Sequence, residues 1–295
     1  MSKRRKSPNP KAGANAKPAK IRDVFVPRPF EGLADEVEWI ALRELVPAAT
    51  APLRLNADLT RDFGDRDITL ATVLPMAWPA MTKPDGRIYV GLQRHVQSGD
   101  ASRDVAVAIL NALETPPGEP VAVPALPGEG PRLQDILDDG VLDITMRDTF
   151  EFWLDDDVAD DPNVRESLDR ANSSIYPTTR MGAAHAAYWC RVPERAHMRW
   201  VLPDDEDQAL DALARLHADS GLLLGDNTKF AGMFRAHNRL VPVWDLPEEP
   251  NADEWEAPLA AFAKRYSEVL SAGGELSPAE RRARQGLIGR QITLR

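Results

Sequence analysis

The chain has 295 residues, 43% of them hydrophobic, which is enough for a sizeable core in one or two domains. No apolar run reaches bilayer length, and a single cysteine excludes an internal disulfide or an all-cysteine zinc site. Charge is uneven: residues 1–22 hold eight Lys/Arg and no acid, whereas residues 23–276 hold 23 basic against 45 acidic side chains, a balance of −22. A body this acidic repels nucleic acid and anionic membrane, while the two basic ends could still make a weak, salt-sensitive contact with nucleic acid or a ribosome.

Residues 1–22 have no apolar periodicity and read as a disordered basic tail; no apolar segment follows to make a secretory signal, so a cytoplasmic location is expected. The remainder reads as α+β, mostly antiparallel sheet with packed helices. An N-terminal half over 23–115 and a C-terminal half over 132–276 are expected, then a helix and Arg-rich end over 277–295. The spacing predicts a helix over 34–46, with Val37, Ile40, Ala41 and Leu45 on one face and Pro47 as its stop. Short strands are expected at Leu53 and Leu55, over 68–74 and over 87–93, with Pro84-Asp85-Gly86 as the turn before the last. Asp100 or Ser102 then caps a helix running to Glu114. The run TPPGEPVAVPALPGEGP, 115–131, cannot sustain a helix and is the candidate boundary. Beyond it come a short helix over 133–139, strands over 141–146 and 149–154, a helix over 163–171 and a strand over 187–192.

The clearest signal runs from His197 to Pro247. A strand over 198–202 precedes a helix capped by Asp204 or Asp205, in which Leu210, Leu213, Ala214 and Leu216 return at helical spacing. Ser220-Gly221 stops that helix, and Leu222-Leu223-Leu224 reads as a short buried strand. A hairpin follows, 229–236 against 239–245, turning at His237-Asn238. A long helix over 254–272 and a last one opened by Ser277-Pro278 complete the chain. Val73-Leu74-Pro75 and Val201-Leu202-Pro203 both end strands, which leaves a duplication of the two halves open.

Candidate chemistry is sparse. Asp155, Asp156, Asp157, Asp160 and Asp161 supply carboxylates but lack the glycine turn of a calcium loop, so a solvated acidic loop is the better reading. His185, Cys190 and His197 form H-x₄-C-x₆-H; that spacing is loose for zinc, and Cys190 reads as a packed thiol. No metal and no cofactor is therefore expected. The loop Gly225-Asp226-Asn227-Thr228-Lys229 groups a carboxylate, an amide, a hydroxyl and an ammonium. Read as a ligand loop it would act with Arg235 and His237; Asp226, Lys229, Arg235 and His237 are then the ligand-binding candidates, Lys229 and Arg235 sharing a face at period two. Read structurally, it is an Asx-turn. Phosphate-loop, dinucleotide, HExxH, GxSxG and kinase motifs are all missing, which argues against an ATP-driven motor, a Rossmann dehydrogenase or an ordinary serine hydrolase.

Three stretches carry a resemblance: PRPFEGLADEVEWIALRELVPAATAPL over 27–53, LGDNTKFAGMFRAHNRLVPVWDLP over 224–247, and RRARQGLIGRQITLR over 281–295. They resemble an actinobacterial family of uncharacterised proteins, a domain of unknown function covering nearly the whole chain after the tail. The resemblance implies a soluble cytosolic protein and supplies no catalytic residues. Two function classes are carried forward. One is a non-enzymatic binding or adaptor protein; the other is an enzyme or small-anion-binding protein using the 225–237 loop and hairpin.

Overall fold

A computed structural model describes residues 22–155 and 161–289. Residues 1–21 of the tail expected over 1–22, the acidic residues Asp156, Asp157 and Asp160, and the end from 290 on lie outside the described residues. The chain is α+β, with two five-stranded, mostly antiparallel sheets.

The first sheet is built from β1 (Ala49–Leu53), β2 (Ile68–Val73), β3 (Ala80–Thr82), β4 (Ile88–Gln93) and β5 (Thr145–Met146), in the order β3-β4-β2-β1-β5. Its one parallel pair is β2 with β4, in register from Ile68↔Ile88 to Val73↔Gln93. The second sheet contains β6 (Thr178–Arg180), β7 (Ala187–Val192), β8 (Arg195–Trp200), β9 (Lys229–Ala236) and β10 (Arg239–Leu246). Its order is β6-β7-β8-β10-β9, and every pair is antiparallel.

Helix α1 (Glu36–Glu44) shares one core with both sheets. Val37, Trp39, Ile40, Ala41 and Leu42 pack with Ile68, Leu70, Ile88 and Val90 of the first sheet and with Phe234, Ala236, Val241 and Val243 of the second. That explains a helix apolar on more than one face, since a helix covered on both sides has no long solvent face to keep polar. Helix α3 (Ala101–Glu114) joins the same core and is capped by Asp100, whose side chain accepts from the amides of Ser102 and Arg103. The far face of the second sheet carries a separate core, closed by α6 (Glu206–Ala218), α7 (Glu256–Ala272) and α8 (Pro278–Ile288). Ser277 opens α8 with a reciprocal capping box to Glu280.

The Pro- and Gly-rich run 115–131 lies against the first sheet's helix. The Arg103 guanidinium donates to the carbonyls of Pro127, Gly128, Glu129 and Pro131, and Thr82 Oγ1 donates to that of Glu119 at 2.8 Å, with the Pro116 carbonyl 3.2 Å away. Beyond the run come α4 (Leu133–Ile136), β5, which pairs with β1, and α5 (Pro162–Asn172); Leu137 makes a single bridge to Leu55.

Several local expectations differ from the structure. The strand at Leu53 and Leu55 lies earlier, at Ala49–Leu53, and only Thr145–Met146 of 141–146 is strand. Residues 149–154 form one 3₁₀ turn, Glu151–Trp153, because Phe150 and Trp153 stack at 4.1 Å between ring centres and close the backbone. Leu222–Leu224 makes no ladder; Leu222 and Leu224 are buried as side chains, and the Leu222 carbonyl accepts from Trp244 Nε1 at 2.8 Å. A short helix α2 (Ala57–Phe63), capped by Asn56, had no sequence expectation because none of its residues is buried.

Helix α1 should be the most sensitive element. Ile40 is fully buried where the two sheets share a core, so Ile40→Ala should cost about 2–5 kcal/mol in urea unfolding. A cost below about 1 kcal/mol would mean that the shared core collapses easily around the lost atoms.

Candidate functional site

Three glutamates of α1 reach from the first half of the chain to the second. Glu38 is fully buried and accepts from Tyr188 Oη at 2.5 Å, Arg180 Nε at 2.8 Å and the Ala186 amide at 3.2 Å. Glu36 joins Arg28 at 2.5 Å and Arg239 at 3.0 Å. Glu44 faces His237 Nε2 at 2.9 Å. These partners order the titrations. Burial alone would raise Glu36, but hydrogen bonds from Arg28 and Arg239 hold it below the usual carboxylate range. Glu44 is lowered in the same way, burial being outweighed by His237 and Arg43. Tyr188 is pushed far up, by burial and then by the Glu38 charge, so its phenol stays protonated and donates.

Beside Glu38 sits an arrangement that looks catalytic in outline. Asp35, almost fully buried, lies 2.6 Å from Nε2 of His185, whose side chain is 53% exposed. The other ring nitrogen, however, is 3.6 Å from Glu38. At that separation no hydrogen bond forms, so the ring is held inside the protein through Nε2 alone. The second Asp35 oxygen accepts from the Leu142 amide at 2.9 Å, so this cluster ties α1 to the 142 loop and to the chain entering β7.

The four candidates from the 225–237 region fall into two groups. Asp226 and Lys229 are exposed at the start of β9; Arg235 and His237 lie about 20 Å away, at its far end. A β-bulge intervenes: Val243 pairs with Gly232 and Trp244 with Phe230, so Ala231 is an extra residue. Phe230 and Met233 therefore both face the second core, and Lys229 and Arg235 occupy opposite faces rather than sharing one. Arg235 bonds Glu206 at the start of α6 at 2.6 Å, whereas His237 turns to Glu44 on α1 and to the edge of Phe30. Thr228 closes the 225–228 turn by donating to the Gly225 carbonyl at 2.7 Å. His237 and Asn238, at φ 47° and 63°, make the tight hairpin turn expected of that pair.

His185, Cys190 and His197 also separate. Cys190 and His197 are cross-strand partners on β7 and β8, while His185 is engaged by α1. Among the described residues, no group of three or more His, Cys, Asp or Glu is placed to hold a metal ion. Burial raises the Cys190 thiol, and burial followed by nearby Arg199 lowers His197, so this pair is thiol and neutral imidazole near neutral pH.

Among several clefts on the described residues, two meet where the C-terminal end of α1 faces the first sheet and the hairpin tip. A cleft of about 550 Å³ runs between the 23–29 arm, the 97–101 loop and the hairpin residues Arg235, His237 and Asn238. A second, of about 450 Å³, opens beyond the ends of β2 and β4. Arg43 and Gln97 line both, and the Arg43 guanidinium donates to the Gln97 side chain between them. Neither loop had a signature in the sequence. Val96, a lone apolar residue between His95 and Gln97 and exposed in the structure, was a slight hint.

The family model of DUF5926, a family of unknown function, matches residues 29–295. The chain belongs to this family. No curated protein and no solved structure matches it. Membership in DUF5926 therefore brings no site residues of its own. Among the described residues, no helix is long and apolar enough to cross a membrane.

Two outcomes follow from these titrations. Glu36 and Glu44 are lower in the folded chain than their ordinary value of 4.5, so the stability they add is complete above that value. It is lost as pH falls through the folded values. Glu36→Gln with Glu44→Gln should therefore flatten the acid limb of a stability–pH curve below about pH 5; an unchanged limb would assign acid unfolding to other groups. Cys190 should resist iodoacetamide at pH 8 in the folded chain and react once urea unfolds it, as mass spectrometry would read. Equal labelling rates in both states would mean that β7 opens readily.

Proposed function

We propose that this DUF5926 member is a cytoplasmic, non-enzymatic binding or adaptor protein, with its partner-facing surface at the paired clefts around Arg43 and Gln97. The actinobacterial source implied by the sequence resemblance belongs to the same reading. The observation that carries the proposal is a group of exposed apolar residues beside those clefts: Phe25 lines one, and Met76, Trp78 and Val96 adjoin the lining residues Ala77, His95 and Gln97 in sequence. Phe25 is 77% exposed and Met76 72%, and Val24, Trp78 and Val96 are exposed as well. Backbone bonds gather these segments: the Val26 amide donates to Gly99 at 2.8 Å and the His95 amide to Ala77 at 3.2 Å. Aromatic residues and Met are the side chains that protein interfaces favour.

Met76 and Ala77 add a second support. Both lie in the left-handed region, at φ 54° and 51°, where residues with a side chain are uncommon. Strain of that kind persists where the surroundings hold it, and here it presents a Met side chain to solvent rather than to the core. The alternative of small-anion binding would keep only the Arg235–His237 end of the hairpin, because Asp226 and Lys229 are remote from the clefts.

The test compares the full chain with a Phe25→Ser, Met76→Ser, Val96→Ser variant as bait in extracts of the producing cells. All three residues are exposed, so the melting midpoint should stay within about 2 °C. A protein recovered in stoichiometric amount with the wild type and lost with the variant is the expected result. Retention of every recovered partner by the variant would overturn the assignment of the surface. Turnover of a small molecule in the same extract would overturn the non-enzymatic reading.

A further inference from the structure

We infer that the cleft beyond the carboxyl ends of β2 and β4 binds a phosphate group between the side chains of Arg43 and Arg94. The inference goes beyond the binding-protein reading and stands on different observations.

Position comes first. In open sheets with parallel strands, ligands settle in the crevice beyond the strands' carboxyl ends, where the chain exits part. Here β2 and β4 are the parallel neighbours, and Val73 and Gln93 are their last paired residues. The chain leaves β2 through the turn Pro75–Ala77 and leaves β4 through the loop that leads to α3. Val73 and Ala77 from one exit, and Gln93, Arg94 and His95 from the other, line the cleft.

Charge comes second. Arg94 is 7% exposed, yet its guanidinium is poorly matched. One terminal nitrogen donates to the Asp104 carbonyl at 2.8 Å, and the Asp104 carboxylate stands off at 3.7 Å. That carboxylate already accepts from the Ser98 amide at 2.8 Å. Arg94 Nε is buried without a hydrogen-bond partner among the described residues. A buried donor left unmade is costly, and a charged one more so. Arg43, the second cation, donates to the Leu92 carbonyl at 2.8 Å and to Gln97; its carboxylate neighbour Glu44, at 3.3 Å, is shared with His237. Burial depresses Arg94, and although Asp104 opposes this, Arg43 pushes the same way. Two guanidiniums and the exposed imidazole of His95 thus line one cleft together with Glu44, a carboxylate that Arg43 shares with His237, while Asp104 stands off behind Arg94. Guanidinium donors in a fixed fork match the oxygens of a phosphate, whose charge would offset the repulsion between the two cations.

The experiment uses the full chain and inorganic phosphate, titrated against chloride at constant ionic strength and read by calorimetry and ³¹P NMR. Saturable binding in the millimolar range is expected, with one phosphate per chain. Arg94→Gln should weaken it at least tenfold. His95→Ala, at an exposed position, should weaken it several-fold while leaving the phosphate-free melting midpoint unchanged. Phe25→Ser, which alters the proposed partner surface, should bind phosphate like the wild type, so failure of either reading is seen separately. No saturable binding in the wild type would overturn the inference, as would equal affinity in Arg94→Gln and the wild type. Acetate binding as tightly as phosphate would overturn the ligand class. If Arg94→Gln does not fold, the decision passes to His95→Ala, and an unchanged affinity there would overturn the site.

Discussion

The burial of Glu38 is the constraint on which the rest of the structure depends. A carboxylate with no exposed surface is costly unless its oxygens are filled, and among the described residues the donors to Glu38 come from residues 180–188. The first sheet's helix therefore cannot be buried alone; it must be completed by the start of the second sheet. Apolar packing says the same. Phe234, Ala236, Val241 and Val243 belong to the core that α1 shares with the first sheet, so separating the halves would expose that face and strand the acid together. Glu36 with Arg239, and Glu44 with His237, repeat the link at the two ends of the helix.

That arrangement also decides what the hairpin can do. Its tip is held by Glu44 and Phe30 through His237, and by Glu206 through Arg235. Side chains committed in this way hold the hairpin's position against α1 and α6, and they form a wall of a cleft rather than a cluster of free cations. The bulge at Ala231 completes the separation by turning Lys229 to the opposite face from Arg235.

Much of the architecture was legible because it rests on local chemistry. The Asp100 and Asp205 caps, the Ser277 capping box, the stop at Ser220-Gly221 and the His237-Asn238 turn depend on residues within a few positions of one another. What was not legible depends on distance along the chain. Leu222-Leu223-Leu224 has the composition of a strand, but its carbonyl is taken by an indole from β10, and no strand lies beside it. Phe150 to Leu154 alternates acceptably for a strand, yet ring stacking makes a turn. The bulge that separates Lys229 from Arg235 had one local sign, Gly232, which at φ 143° lies where residues with a side chain are rarely found.

The candidate site was hidden for the same reason, and more completely. Its parts are Arg43 at the end of α1, Arg94 after β4, the 75–77 turn after β2 and, on the neighbouring cleft, a hairpin tip near residue 237. No window of sequence contains two of the three cationic elements. They meet because α1 reaches both sheets, and α1 is fixed there by acids whose partners lie some 140 to 200 positions further on. A motif search looks for a ligand site written in one loop, and the 225–229 loop satisfied that expectation in composition alone. Arg94 carries the opposite signature. Its neighbours in sequence are unremarkable, and its partly unsatisfied guanidinium becomes evident only when the parallel pair β2–β4 and the helix α3 enclose it.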